Sequence, residues 1–145
     1  MDFLSSLSIS GSGLTAQKLR MDVISQNIAN AEVTRTEDGT PYRRKMVVLS
    51  SINGSGSFRD ALDNATAVKT SGVQVQSILE DQSDLVPVYN PNHPDANEEG
   101  YVMMPNVNTA QEMVDIMSAS RAYEANATAF NATKTMLLKA LDIGR

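Results

Sequence analysis

Apolar residues recur at every seventh position near the start of the chain: Leu7, Leu14, Met21 and Ile28, with Ile24 and Ala31 three residues after the last two. A seven-residue repeat with a second apolar position three or four residues on is the seam of a coiled-coil helix. The pattern predicts a helix within residues 1–33. It should be firmer from Leu14 onward, because Gly11 and Gly13 each weaken a helix by about 1 kcal/mol relative to alanine. Asn27 and Asn30 close this segment. Asparagine competes for backbone hydrogen bonds and is a poor helix-interior residue, so two of them need a reason.

The period then changes. Residues 41–50, PYRRKMVVLS, predict a strand with Met46 to Leu49 as its apolar part. NGSGS at 53–57 predicts a turn. In 72–81, Val73 and Val75 alternate with Gln74 and Gln76, the period of a half-covered strand. LVPVY at 85–89 reads as an edge strand, since Pro87 cannot donate to a ladder. The turn-rich stretch 90–100 follows, and YVMM at 101–104 is a short strand stopped by Pro105.

The last segment is the most regular. Thr109 and Glu112 fit a capping box, and no proline interrupts the run to Gly144, a suitable residue just past a helix end. At 100° per residue, Met113, Ile116, Tyr123, Ala127, Phe130, Leu137 and Leu141 form one apolar stripe. Ala122, Ala125, Ala129, Ala132, Met136 and Ala140 form a second, well round the cylinder. A helix apolar on two sides is covered on two sides. The N-terminal helix can cover one; another copy or a close relative of the chain is the simplest cover for the other. Asn27 and Asn30, with Asn126 and Asn131, would then be polar seam residues that fix register and partner number. The alternative is a plain helical hairpin whose alanine face meets water.

The fold class expected is therefore mainly α with a small β region: coiled-coil helices at 1–34 and 108–145 around a short β-rich middle domain at 35–107. Composition narrows the function. A formal net charge of −5 argues against nucleic acid, which needs a basic face. The absence of cysteine excludes disulfides and thiolate chemistry, and one histidine cannot make a two-histidine metal site. No apolar run is long enough to insert in a bilayer. The N-terminal residues MDFLSSLSISGSGL carry no early basic residue, unlike a cleavable secretory signal. With no nucleophile–base pair and no cofactor loop, neither an enzyme nor a cofactor is expected.

SGLTAQKLRMDVISQNIANAEVTRT (12–36), PYRRK (41–45), VYNPNHPDANEEGYVMMPNVN (88–108) and EMVDIMSASRAYEANATAFNATKTMLLKALDIG (112–144) resemble the flagellar rod, hook and axial protein family, most closely its short proximal rod members. YNPNHP departs from the pattern, which has an aspartate and a glycine at the positions of Asn90 and Asn92. The resemblance implies a structural subunit of the bacterial basal-body rod. Its terminal helices would pair with copies of itself and with other axial proteins into a torque-transmitting shaft across the periplasm. It also implies delivery by the flagellar type III export apparatus without signal cleavage, with Phe3 and Leu7 as a candidate export motif. The competing reading is a soluble coiled-coil adaptor that closes into a small oligomer.

Two features suggest other chemistry. Asp95 to Gly100 copies the first half of a calcium loop, but position twelve is Asn106 where a bidentate glutamate belongs. The basic run Tyr42 to Lys45 reads either as a solvated face or as an ion-pair patch between subunits.

Overall fold

A computed structural model describes residues 3–52 and 72–143 of the chain. The turn expected at 53–57, the helix-end role of Gly144 and the side chain of Phe3 lie outside what is described. The elements in order are α1 (Phe3–Ala29), β1 (Lys45–Ser51), β2 (Val73–Glu80), β3 (Val86–Tyr89), β4 (Tyr101–Met104) and α2 (Thr109–Ile143). The expected class holds: two long terminal helices enclose a middle of short antiparallel strands. None of the described helices is long and apolar enough to cross a membrane.

The helix α1 runs without a break through Gly11 and Gly13. Gly13 has a packing reason: a Cβ there would lie 3.1 Å from the Asn126 side-chain amide. Further along, Asn27 meets Glu112. The two contacts fix α1 and α2 as antiparallel neighbours, since the same fourteen residues separate them on each helix. The stripe buried between them holds Ala16, Val23, Ile24 and Asn27 from α1, and Glu112, Ala119 and Thr133 from α2. Small residues let the two backbones approach closely. At its end the Gln26 carbonyl accepts from both the amide and the side chain of Asn30, and the next turn tightens, with the Ala31 amide bonding the Ile28 carbonyl. Side-chain competition for a helical carbonyl is the ordinary reason asparagine suits helix ends.

The first strands form one ribbon, β1 antiparallel to β2 with Lys45 opposite Glu80 and Ser51 opposite Val73. A bulge between Val48 and Leu49 shifts the register. The ribbon is fastened to α1 at both ends. At one end the Val73 amide donates to Ser12 Oγ at 3.0 Å, and at the other the Lys45 amide donates to Asn27 Oδ1 at 2.9 Å. Gly72 permits the first approach, because a Cβ there would stand 2.5 Å from Ser12 Oγ.

The second ribbon, β3 with β4, pairs Val86 with Met104 and Tyr89 with Tyr101, and packs against neither helix nor the first ribbon. The Tyr89 and Tyr101 rings meet edge to face at 5.4 Å. Gly100 turns the chain with φ +82, a conformation that favours glycine, and a Cβ there would also strike the Tyr89 ring at 2.9 Å.

Candidate assembly interface

Among the described residues the most buried polar side chain is one that spacing alone gave a different task. Asn108, not Thr109, caps α2: its Oδ1 accepts from the Ala110 and Gln111 amides at 3.1 and 3.3 Å. The capping-box expectation is thereby corrected. Glu112 does not reach back to the cap but turns inward and is fully buried. There its Oε1 accepts from Arg44 Nε at 2.6 Å and its Oε2 from Asn27 Nδ2 at 3.0 Å.

Asn27 is 1% exposed and uses all of its hydrogen-bonding capacity. Its Nδ2 donates to the Lys45 carbonyl at 2.8 Å as well as to Glu112. Its Oδ1 accepts from the Tyr42 hydroxyl at 3.0 Å and from the Lys45 amide at 2.9 Å. A buried amide so completely matched avoids the penalty of an unpaired polar group and rewards only one register of α1, β1 and α2. Burial raises the Tyr42 hydroxyl above its ordinary pKa of 10.0, and the Glu80 and Glu112 charges push the same way.

The basic run serves this hub rather than a solvated face. Besides Glu112, Arg44 reaches Asp115 Oδ2 at 3.5 Å, and its amide donates to Asn106 Oδ1 at 2.8 Å. Arg43 Nη1 donates to the Asp81 and Ser83 carbonyls at 3.2 and 3.1 Å. Hydrogen bonds from the Ser83 amide and hydroxyl hold the Asp81 carboxyl below the usual carboxylate range, with Arg44 and Arg43 adding to the effect. The residues of the calcium-loop look-alike are also engaged in structure: Asp95 accepts from Thr34 Oγ1 at 2.8 Å, and Asn97 Oδ1 accepts from the Glu99 and Tyr101 amides. Among the described residues no group of three or more His, Cys, Asp or Glu side chains could hold a metal ion.

Outside the hub, the helices keep uncovered apolar surface. The heptad positions Leu7, Leu14, Met21 and Ile28 are half-buried, whereas Ile24 belongs to the buried stripe. On the helical wheel the heptad flank lies roughly a third of a turn from the buried stripe. The β1–β2 ribbon holds the opposite flank through Ser12. On α2, Ile116, Asn126, Phe130 and Leu137 are half-buried, and Tyr123 is marginal. Ala125, Ala129, Asn131, Ala132, Met136 and Ala140 are exposed, and Leu141 is 69% exposed. Near the start of α2, Met113 and Met117 are each 54% exposed. The pattern did not single out Tyr42, Arg44 or Glu112 as a cluster, nor the stripe Ala110, Met113, Val114, Met117. The i, i+3, i+4, i+7 spacing of that stripe was the signal available for it.

Two family models match these same helices. Flagella basal body rod protein covers residues 7–35, and Flagellar basal body rod FlgEFG protein C-terminal covers residues 98–143. Matches at both ends, on the two helices that pack together, define the rod-protein class of the flagellum. The chain is also similar along nearly its whole length to proteins named flagellar basal-body rod protein FlgC. It is 51% identical to that of Bacillus subtilis over 97% of both chains. It is 48% identical to that of Borreliella burgdorferi, over 99% of this chain and 98% of the relative. It is 42% identical to that of Salmonella typhimurium over the full length of both. The chain belongs to the FlgC family of flagellar basal-body rod proteins, and its role is that of a structural rod subunit, not an enzyme.

Proposed function

We propose that this rod subunit assembles through the uncovered faces of its two terminal helices, coiled against those of neighbouring copies and other rod proteins, and transmits torque through the periplasmic, proximal part of the shaft. The observation that carries the reading is the pair of half-used surfaces. The heptad flank of α1 is only half covered within one chain, and the alanine stripe of α2 is exposed from Ala125 to Ala140. Subunits that meet head to tail on such faces grow an open helix when the rotation does not close.

The polar residues on these faces favour burial in an assembly. Thr128 and Thr135 donate to the carbonyls of Glu124 and Asn131, each at 2.9 Å, and Ser25 to that of Met21 at 2.8 Å. A hydroxyl already bonded to its own helix loses little when a neighbour displaces water from it. Within the single subunit the hub keeps the helix pair in register. Export by the flagellar type III apparatus, with Phe3 and Leu7 as the candidate signal, completes this reading.

The test is Ala129→Glu, with Ala132→Glu as a second site. Cells carrying either should lack hooks and filaments, while the purified variant keeps the helical content and unfolding midpoint of the parent. Normal swarming would refute the reading. A closed-oligomer adaptor would show a fixed stoichiometry in solution and no rod defect.

A further inference from the structure

The β3–β4 ribbon is a two-stranded hairpin that packs against neither helix nor the other ribbon. One of its faces is held against the segment that follows α1, where Val102 is 2% exposed and Asp95 accepts from Thr34 Oγ1. The hairpin nevertheless exposes apolar side chains, Tyr89, Tyr101 and Met103 on the same face as Pro87, with Tyr89 65% exposed. Its far end carries Glu98 and Glu99, both exposed. Among the described residues neither carboxylate has a partner.

A surface of matching character lies on α2. Ala110, Met113, Val114 and Met117 form an exposed apolar stripe, and Arg121 continues it one turn further on. Among the described residues that guanidinium, too, has no partner. The dimensions agree. From Met113 to Arg121 is about 12 Å along a helix axis, and from Met103 to Glu99 is at most about 13 Å along extended chain.

We propose that the β3–β4 hairpin of one subunit docks on the Ala110–Met117 stripe of a second copy, with Glu98 and Glu99 meeting that copy's Arg121. The proposal rests on the rod-subunit reading and names a contact within it. The two surfaces differ and sit on one chain, so the contact is head to tail, and within an open rod it repeats from copy to copy. The apolar part supplies the attraction, and the acidic tip against one arginine sets the direction in which the hairpin lies.

The experiment uses the full chain in cells and has two arms. Glu98→Lys with Glu99→Lys, and separately Arg121→Glu, should each abolish swarming, and the combination should restore it. Failure of the combination to improve on its parents, or full swarming by the parents, would overturn the contact. The second arm exploits the absence of native cysteine. Met103→Cys in one tagged copy and Met113→Cys in another, co-expressed, should give a cross-linked pair in isolated basal bodies after treatment with a short bismaleimide. No cross-link, or one to a different flagellar protein, would overturn the proposal. If Ala129→Glu blocks rods while both arms here fail, the rod reading stands and this contact falls. If Ala129→Glu is harmless too, the rod reading itself has failed.

Discussion

Asn27 and Glu112 are 85 positions apart in sequence, yet Asn27 Nδ2 donates to Glu112 Oε2 at 3.0 Å inside the helix pair. The pair joins the two long helices, and Tyr42 and Arg44 close the network around it. Removing the amide strands three partners at once. Asn27→Ala should destabilise the isolated subunit by roughly 2–4 kcal/mol, as expected for buried groups left unpaired. Denaturant unfolding followed by circular dichroism measures this, and a loss below about 1 kcal/mol would mean that water satisfies the hub.

Glu112→Ala leaves Arg44 without its shorter contact. Breaking a fully buried pair costs about 3–5 kcal/mol. Arg44 keeps 25% of its side chain exposed and retains Asp115, so a smaller loss of about 2 kcal/mol is expected. Arg44→Glu should be worse, because it sets a third carboxylate against Glu112 and Asp115. Arg43→Glu loses two carbonyl contacts and its attraction for Asp81, all outside the buried hub, and should cost less than Arg44→Glu, about 1–2 kcal/mol. Equal effects of the two arginine reversals in the isolated subunit would contradict this division of labour.

Gly11 and Gly13 share a helix but not a role. A methyl group at Gly11 meets nothing within 4 Å, so Gly11→Ala should stabilise α1 by about 0.5–1 kcal/mol. At Gly13 the same methyl presses on Asn126, whose Nδ2 is bonded to the Ala122 carbonyl at 2.9 Å. Gly13→Ala should therefore be at least about 1 kcal/mol less stable than Gly11→Ala. Thermal unfolding of the two variants side by side decides it.

The raised pKa of Tyr42 gives stability a basic limb. Below its unfolded value of 10.0 the hydroxyl is protonated in both states and its bond to Asn27 is intact. As pH rises past 10.0 the unfolded chain gives up this proton first, so unfolding gains and stability falls until the folded group also titrates. The unfolding midpoint should drop more steeply above that pH in the parent than in Tyr42→Phe. Parallel curves would show that Tyr42 contributes nothing to the slope.

Much of the architecture can be read from the chain by periodicity. The alternation of Val73 and Val75 with Gln74 and Gln76 marks β2, Pro105 ends β4, and the proline-free run after residue 108 is α2. The same reasoning fails where the determining contact is distant or small. The apolar heptad draws attention to Leu14, Met21 and Ile28, yet the stripe against α2 includes Ala16 and Asn27, because closely approaching backbones bury small and matched polar residues. Glu112 three residues after Thr109 imitates a capping box. One step of register, set by Asn108, places it instead on the face that meets Asn27 and Arg44. The arginines look like a surface patch until the fold brings Glu112 and Asp81 to them. No local spacing carries that information.

In the proposed rod, neighbouring subunits cover the helix faces that one chain leaves bare. Because the chain has no cysteine, Ala129→Cys reports on this directly through its rate of maleimide labelling. Labelling should be fast in the purified subunit and strongly slowed in intact basal bodies. Equal labelling rates in the two states would contradict that covering.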